Sequence, residues 1–193
     1  MPEGFNAGVV RSRERAAQEA KRCLALSRRI QCLCFAGMRI FEKVRLRPSQ
    51  LRTVADRRFG DANSLRGTAD NARANGAIYL GGFVVECLLK AKLLERFRWL
   101  QSAGSPEGRS RDDRHLWSLC YRSHDLDEIL ARLPEIVQKL SRLEQRESSR
   151  LTQSLRSICG QWTIYARYSP RSADIDDART FLDQIEELRP WLA

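Results

Sequence analysis

Behind "RPSQ", Leu51, Val54, Ala55, Phe59 and Ala62 recur at helical spacing with polar residues between them. The pattern predicts an amphipathic helix with Pro48 and Ser49 in its first turn or at its cap. Gly67 and the polar run "TADNARANG" break it. Residues 75 to 98 are then apolar round most of a helical circumference, which predicts a second helix at the centre of a bundle. The stretch between Leu100 and Arg114 is rich in Gly, Ser, Pro and mixed charge and predicts an exposed loop.

Beyond it, "SHDLDEIL" predicts a short helix capped by Ser123, with Asp125, Asp127 and Glu128 in its positive first turn. Pro134 starts the next, carrying Ile136, Val137, Leu140 and Leu143. A further helix is expected from Leu151 to Tyr168, ending near "RYSP", where Pro170 opposes continuation. The last has Ser172 as its cap and Ala178, Phe181, Leu182, Ile185 and Leu188 on one face. No segment alternates as a strand would, so the chain reads as all-α.

Charge changes the picture in one place. Of the net charge of +10, residues 1 to 47 contribute 11 Lys+Arg against 4 Asp+Glu, leaving 23 against 20 for residues 48 to 193. The excess is N-terminal, and two domains are expected: a basic helical appendage over 1–47 and a bundle over 48–193. An upstream extension ahead of a start at Met38 is the alternative account of the first part. Because 29 of the 34 basic residues are Arg, an Arg-rich coding habit explains the charge as simply as nucleic-acid binding does.

Six cysteines show no CxxC pair and no zinc-finger histidine spacing, so no metal or cofactor is expected and the thiols read as reduced and cytoplasmic. The uncharged stretch from Asn75 to Val85 is shorter than the ~20 residues a bilayer span needs, and no membrane association is expected.

Several residues do not fit a plain bundle. Glu86 and Lys90 stand four apart on the most apolar helix, so they share a face. Either that face meets solvent in a groove, or the ions are buried against partners. Gly81 and Gly82 in mid-helix point to a close helix crossing or a dimer contact. His115 and His124 each could exchange a proton or simply hold a helix start. "WTIYARYSP" groups Trp162, Tyr165, Arg167 and Tyr168, either as core with an extended Arg or as a stacking platform beside a phosphate-binding guanidinium.

"RFGDANSL", "NGAIYLGGFVVECLLKAKLLE", "SHDLDEIL" and "RYSP" together resemble the HEPN family (Higher Eukaryotes and Prokaryotes Nucleotide-binding). The resemblance rests on Asp61-Ala62, on Ala77 to Lys90, and on His124 to Leu126, and covers residues 48 to 190. It implies an up-and-down bundle of four to five main helices, commonly a homodimer. Family members include RNase toxins and partners of minimal nucleotidyltransferases.

The RNase members carry an Arg, four to six residues, then a His, late in the domain. Here no histidine follows Arg167, and the one formal match, Arg109 to His115, falls in the charged loop. The expectation is therefore a module that binds a nucleotide, RNA or a nucleotidyltransferase-type partner in a toxin-antitoxin or defence-like setting. Glu86, Lys90, His124, Arg167 and Tyr168 would line its groove, with Lys90 and Arg167 on phosphate and Tyr168 on a base. The alternatives are a metal-independent RNase toxin, with His115, His124 and Arg109 as catalytic candidates, and a structural adaptor.

Overall fold

Seven α-helices and three short 3-10 turns make up the regular structure of the described residues, which contain no strand. The computed structural model describes residues 46–102, 106–168 and 172–193, without the side chains of Ala166 and Arg167. These belong to one compact unit, Arg45–Ala193. The expected basic helix over 1–47 falls, apart from Leu46 and Arg47, outside the described residues. So does Met38.

Helix α1 spans Pro48–Arg66 and starts on the proline, whose missing N–H costs nothing at a first turn. Its apolar stripe buries Leu51, Ala55, Phe59 and Ala62. A 3-10 turn at Asn71–Arg73 leads into α2, Ala74–Arg96, which is buried on most of its circumference. Arg52 near the start of α1 pairs with Glu95 near the end of α2 at 2.7 Å, so the two helices run antiparallel.

The last helix, α7 (Ile175–Leu192), pairs with α1 through Arg66–Asp183 at 2.5 Å and Arg189–Asp56 at 2.6 Å, again antiparallel. Asn71 and Asn75 accept hydrogen bonds from the backbone N–H groups of Ile175 and Ala173, which seats the start of α7 on the start of α2. Helix α2 packs most extensively on α1 and next on α7. Its central place follows from its composition: Ala77, Val84, Val85, Leu89, Ala91, Leu93 and Leu94 have no exposed surface.

The glycine pair serves this packing. A Cβ on Gly81 would lie 2.8 Å from Leu182 and 3.0 Å from Ile185 of α7, and one on Gly82 would lie 1.9 Å from the Trp162 indole nitrogen. Gly81 thus admits the close crossing of α7, and Gly82 admits the Trp162 ring.

The intervening helices are shorter: α3 (Arg111–Tyr121), α4 (Leu126–Ala131), α5 (Pro134–Leu140) and α6 (Gln145–Gln161). The expected loop to Arg114 stops earlier, because Ser110 accepts from the Asp113 N–H and caps α3, whose Leu116, Leu119 and Cys120 are buried. The cap of α4 is Asp125 rather than Ser123, and that of α7 is Asp174 rather than Ser172. In each case the carboxylate reaches the N–H three residues on, and Asp174 and Asp177 close a reciprocal box.

Helix α6 starts six residues before the expected Leu151. It ends at Gln161, because Trp162 turns to extended backbone (φ −77°, ψ 135°) to lay its ring on α2; a 3-10 turn, Ile164–Tyr168, follows. No helix among the described residues is long and apolar enough to cross a membrane.

Candidate functional site

Glu86 and Lys90 are one turn apart on α2 and both buried, at 5% and 7% exposure. The Lys90 ammonium lies 2.8 Å from Glu86 Oε1 and donates to the Ser123 carbonyl at 2.8 Å. His124 Nδ1 lies 3.0 Å from both oxygens of the same carboxylate. An ionised carboxylate only accepts, so Nδ1 carries the hydrogen, and the second ring nitrogen has no partner among the described residues. Glu86 is thereby shared between an ammonium from its own helix and an imidazole from the segment ahead of α4.

This places the sequence-predicted residues differently from an open groove. Lys90 is turned inward, and its ammonium meets Glu86 and the Ser123 carbonyl rather than an open groove. Desolvating two ions costs several kcal/mol each and is offset only by close pairing with further hydrogen bonds, which Ser123 and His124 supply. The pair also pins the Ser123-His124 backbone to α2. His124, its side chain 36% exposed, carries the carboxylate's network to the surface.

Aromatic rings frame the histidine. Phe83, one turn before Glu86 on α2, meets the His124 ring edge-on at 6.1 Å and the Trp162 ring at 5.3 Å, while Tyr79 meets Phe83 at 4.9 Å. Trp162 fits here because Gly82 leaves room for it. Beside His124 opens a recess of about 280 Å³, bordered by Asp125, Asp127, Gly160, Trp162 and Ile164. Tyr165 and Tyr168, on the 3-10 turn that leads away from it, are 72% and 68% exposed. Arg167 belongs to the same turn, but its side chain falls outside the described residues.

No protein-family model, curated protein or solved structure matches the chain.

The other candidates have separate engagements. His115 Nε2 pairs with Glu128 at 2.8 Å on the part-exposed seam between α3 and α4. The Arg109 guanidinium stacks 4.1 Å from the Trp99 ring centroid. The formal Arg109 to His115 spacing thus corresponds to two residues held by different partners. Burial pushes the thiols of Cys87, Cys120 and Cys159 up to about 11, 12 and 12, which leaves them protonated and inert near neutral pH. For Cys87 the neighbouring Glu86 charge adds to the rise and Lys90 opposes it.

Sequence reasoning missed Ser123 as a participant, since what it contributes is a main-chain carbonyl, for which no residue type is a signal. It also missed that Gly82 and Trp162 are one feature.

Proposed function

We propose that this chain is a HEPN-like bundle that binds RNA or a nucleotide, with the base seated at the His124 recess. The observation that carries the reading is the contact between Glu86 and His124. Two of the stretches that bear the family resemblance, Ala77 to Lys90 and His124 to Leu126, meet through it, by residues 38 apart in sequence. The antiparallel setting of α1 against α2 and α7 fits such a bundle. The exposed rings of Tyr165 and Tyr168 favour a base-bearing ligand, because base–aromatic stacking contributes about 1–3 kcal/mol per base. Asp125 and Asp127 at the rim repel phosphate, so phosphates lie elsewhere. A homodimer and a nucleotidyltransferase-type partner within a toxin-antitoxin or defence-like module belong to this reading through the resemblance.

A second reading, metal-independent endoribonuclease, is favoured by a separate feature: a histidine oriented through Nδ1 by a buried carboxylate leaves its other nitrogen for proton transfer. One experiment addresses both. Anisotropy of a labelled single-stranded RNA is titrated with wild type, His124→Ala and His115→Ala, and cleavage of total RNA is followed in EDTA. Binding weakened about fivefold or more, which is roughly 1 kcal/mol, in His124→Ala alone supports the recess. Equal binding by all three refutes it. Cleavage abolished by His124→Ala promotes the enzyme.

A further inference from the structure

Helix α6 differs from the other long helices in what it shows to solvent. Four of its hydroxyl residues, Ser148, Ser149, Thr152 and Ser157, line a shallow groove of about 620 Å³ together with Gln153 and Arg156, and no carboxylate borders it. Hydroxyls inside helices commonly turn back onto the carbonyl four residues earlier. Thr53 and Ser64 of α1 do so, bonding the carbonyls of Ser49 and Gly60 at 3.1 and 3.0 Å. The four in α6 make no hydrogen bond among the described residues, and Arg156 is exposed with no ion-pair partner there. Arg150, on the same helix, is by contrast paired with Glu187 of α7.

A row of donors with no partner among the described residues, in a groove that no carboxylate lines, is the composition that meets a sugar–phosphate chain. Ser, Thr and Gln side chains contact phosphate and sugar without reading sequence, and a free guanidinium grips phosphate with two parallel bonds. The groove also leads to the candidate site: Gln161 borders it, and the adjacent Gly160 borders the His124 recess. From Ser149 to Gln161 the helix runs about 18 Å, enough for several phosphates.

We propose that this face of α6 is the track for the backbone of a single-stranded RNA whose base enters the His124 recess. The inference rests on the RNA reading above and adds where the phosphates go. Asp127 marks the edge of the track: its Oδ2 lies 3.4 Å from where a Cβ on Gly160 would stand. An approaching phosphate therefore feels Arg156 as attraction and Asp127 as repulsion.

The test is an anisotropy titration of the full chain with a short labelled single-stranded RNA of mixed sequence, at several salt concentrations. The proteins are wild type, Arg156→Glu, Asp127→Asn and His124→Ala, each checked by circular dichroism. Arg156→Glu is expected to weaken binding about tenfold and to lower the slope of log affinity against log salt by about 1. Asp127→Asn is expected to tighten binding, a gain that damage to the fold would not produce. If His124→Ala loses affinity while both α6-edge variants bind like wild type, the track is overturned and the recess stands. If wild type binds no RNA, both are overturned.

Discussion

Glu86 and Glu128 each hold a histidine at hydrogen-bond distance, 3.0 Å for His124 and 2.8 Å for His115. The two imidazoles are similarly exposed, at 36% and 41% of the side chain. The carboxylates are not: Glu86 is 6% exposed and Glu128 42%. The same pair of residue types therefore works in two media. Around Glu128, water solvates both partners and the contact is worth a fraction of a kcal/mol. Around Glu86, the buried carboxylate is met by the Lys90 ammonium and the His124 ring, and the Ser123 carbonyl holds the ammonium in turn, so removing Lys90 leaves a buried charge uncompensated. Distance alone does not separate a surface ion pair from a poised site; the burial of the acid does.

The largest break in that comparison comes from Lys90→Met. Glu86 would keep only His124, and a loss of about 3–5 kcal/mol of stability is expected by urea denaturation. Glu86→Leu combined with Lys90→Met should recover most of it, since apolar side chains of similar size suit that interior. A loss below about 1 kcal/mol in the single variant would mean that water reaches the pair and the two media are the same.

Gly82→Ala is next. The new methyl would overlap the Trp162 ring, whose indole nitrogen is buried without a hydrogen-bond partner, so the ring must move. Overpacking of this kind costs about 1–3 kcal/mol. Because Trp162 packs on Phe83 and Phe83 on His124, histidine ring resonances should report it selectively: His124 shifts and His115 does not. Equal shifts of both would show a global rather than a local disturbance.

Much of this frame was legible in the residues. The stripe of α1 and the proline at its start follow from local rules, as does the density of apolar residues that centres α2. The caps were read two residues early, at Ser123 and Ser172, because Ser and Asp both suit an N-cap and which of them caps depends on the exact backbone entry. Helix α3 hid inside a loop-like composition, because its buried face amounts to Leu116, Leu119 and Cys120. At the site, the i,i+4 spacing of Glu86 and Lys90 was visible, but its burial was not. Spacing fixes which face two residues share, while tertiary packing decides whether that face sees water. Neither the Ser123 carbonyl nor the Gly82–Trp162 fit has a signature in one dimension.

His124→Ala and His115→Ala sharpen the comparison further. Deleting the first removes a charge-assisted bond from a buried acid and should cost about 1–3 kcal/mol, less than Lys90→Met because the ammonium remains. Deleting the second should cost under about 1 kcal/mol. Costs that match would place Glu86 and Glu128 in equivalent surroundings.

The smallest effect separates the media most directly. A double-mutant cycle on His115 and Glu128, using His115→Ala and Glu128→Gln, is expected to give a coupling of about 0.2–1 kcal/mol at low salt. At 1 M salt the screening length contracts to about 3 Å, and a pair with both partners in solvent should lose most of that coupling. The parallel cycle on His124 and Glu86 should hold its value, because ions have little access to a carboxylate that is buried. Both cycles read the same two residue types at nearly the same distance, so any difference in their salt response measures the surroundings alone. A coupling at Glu86 that fades with salt as fast as the one at Glu128 would show counterions reaching the acid, and the buried anchor of the recess would be lost.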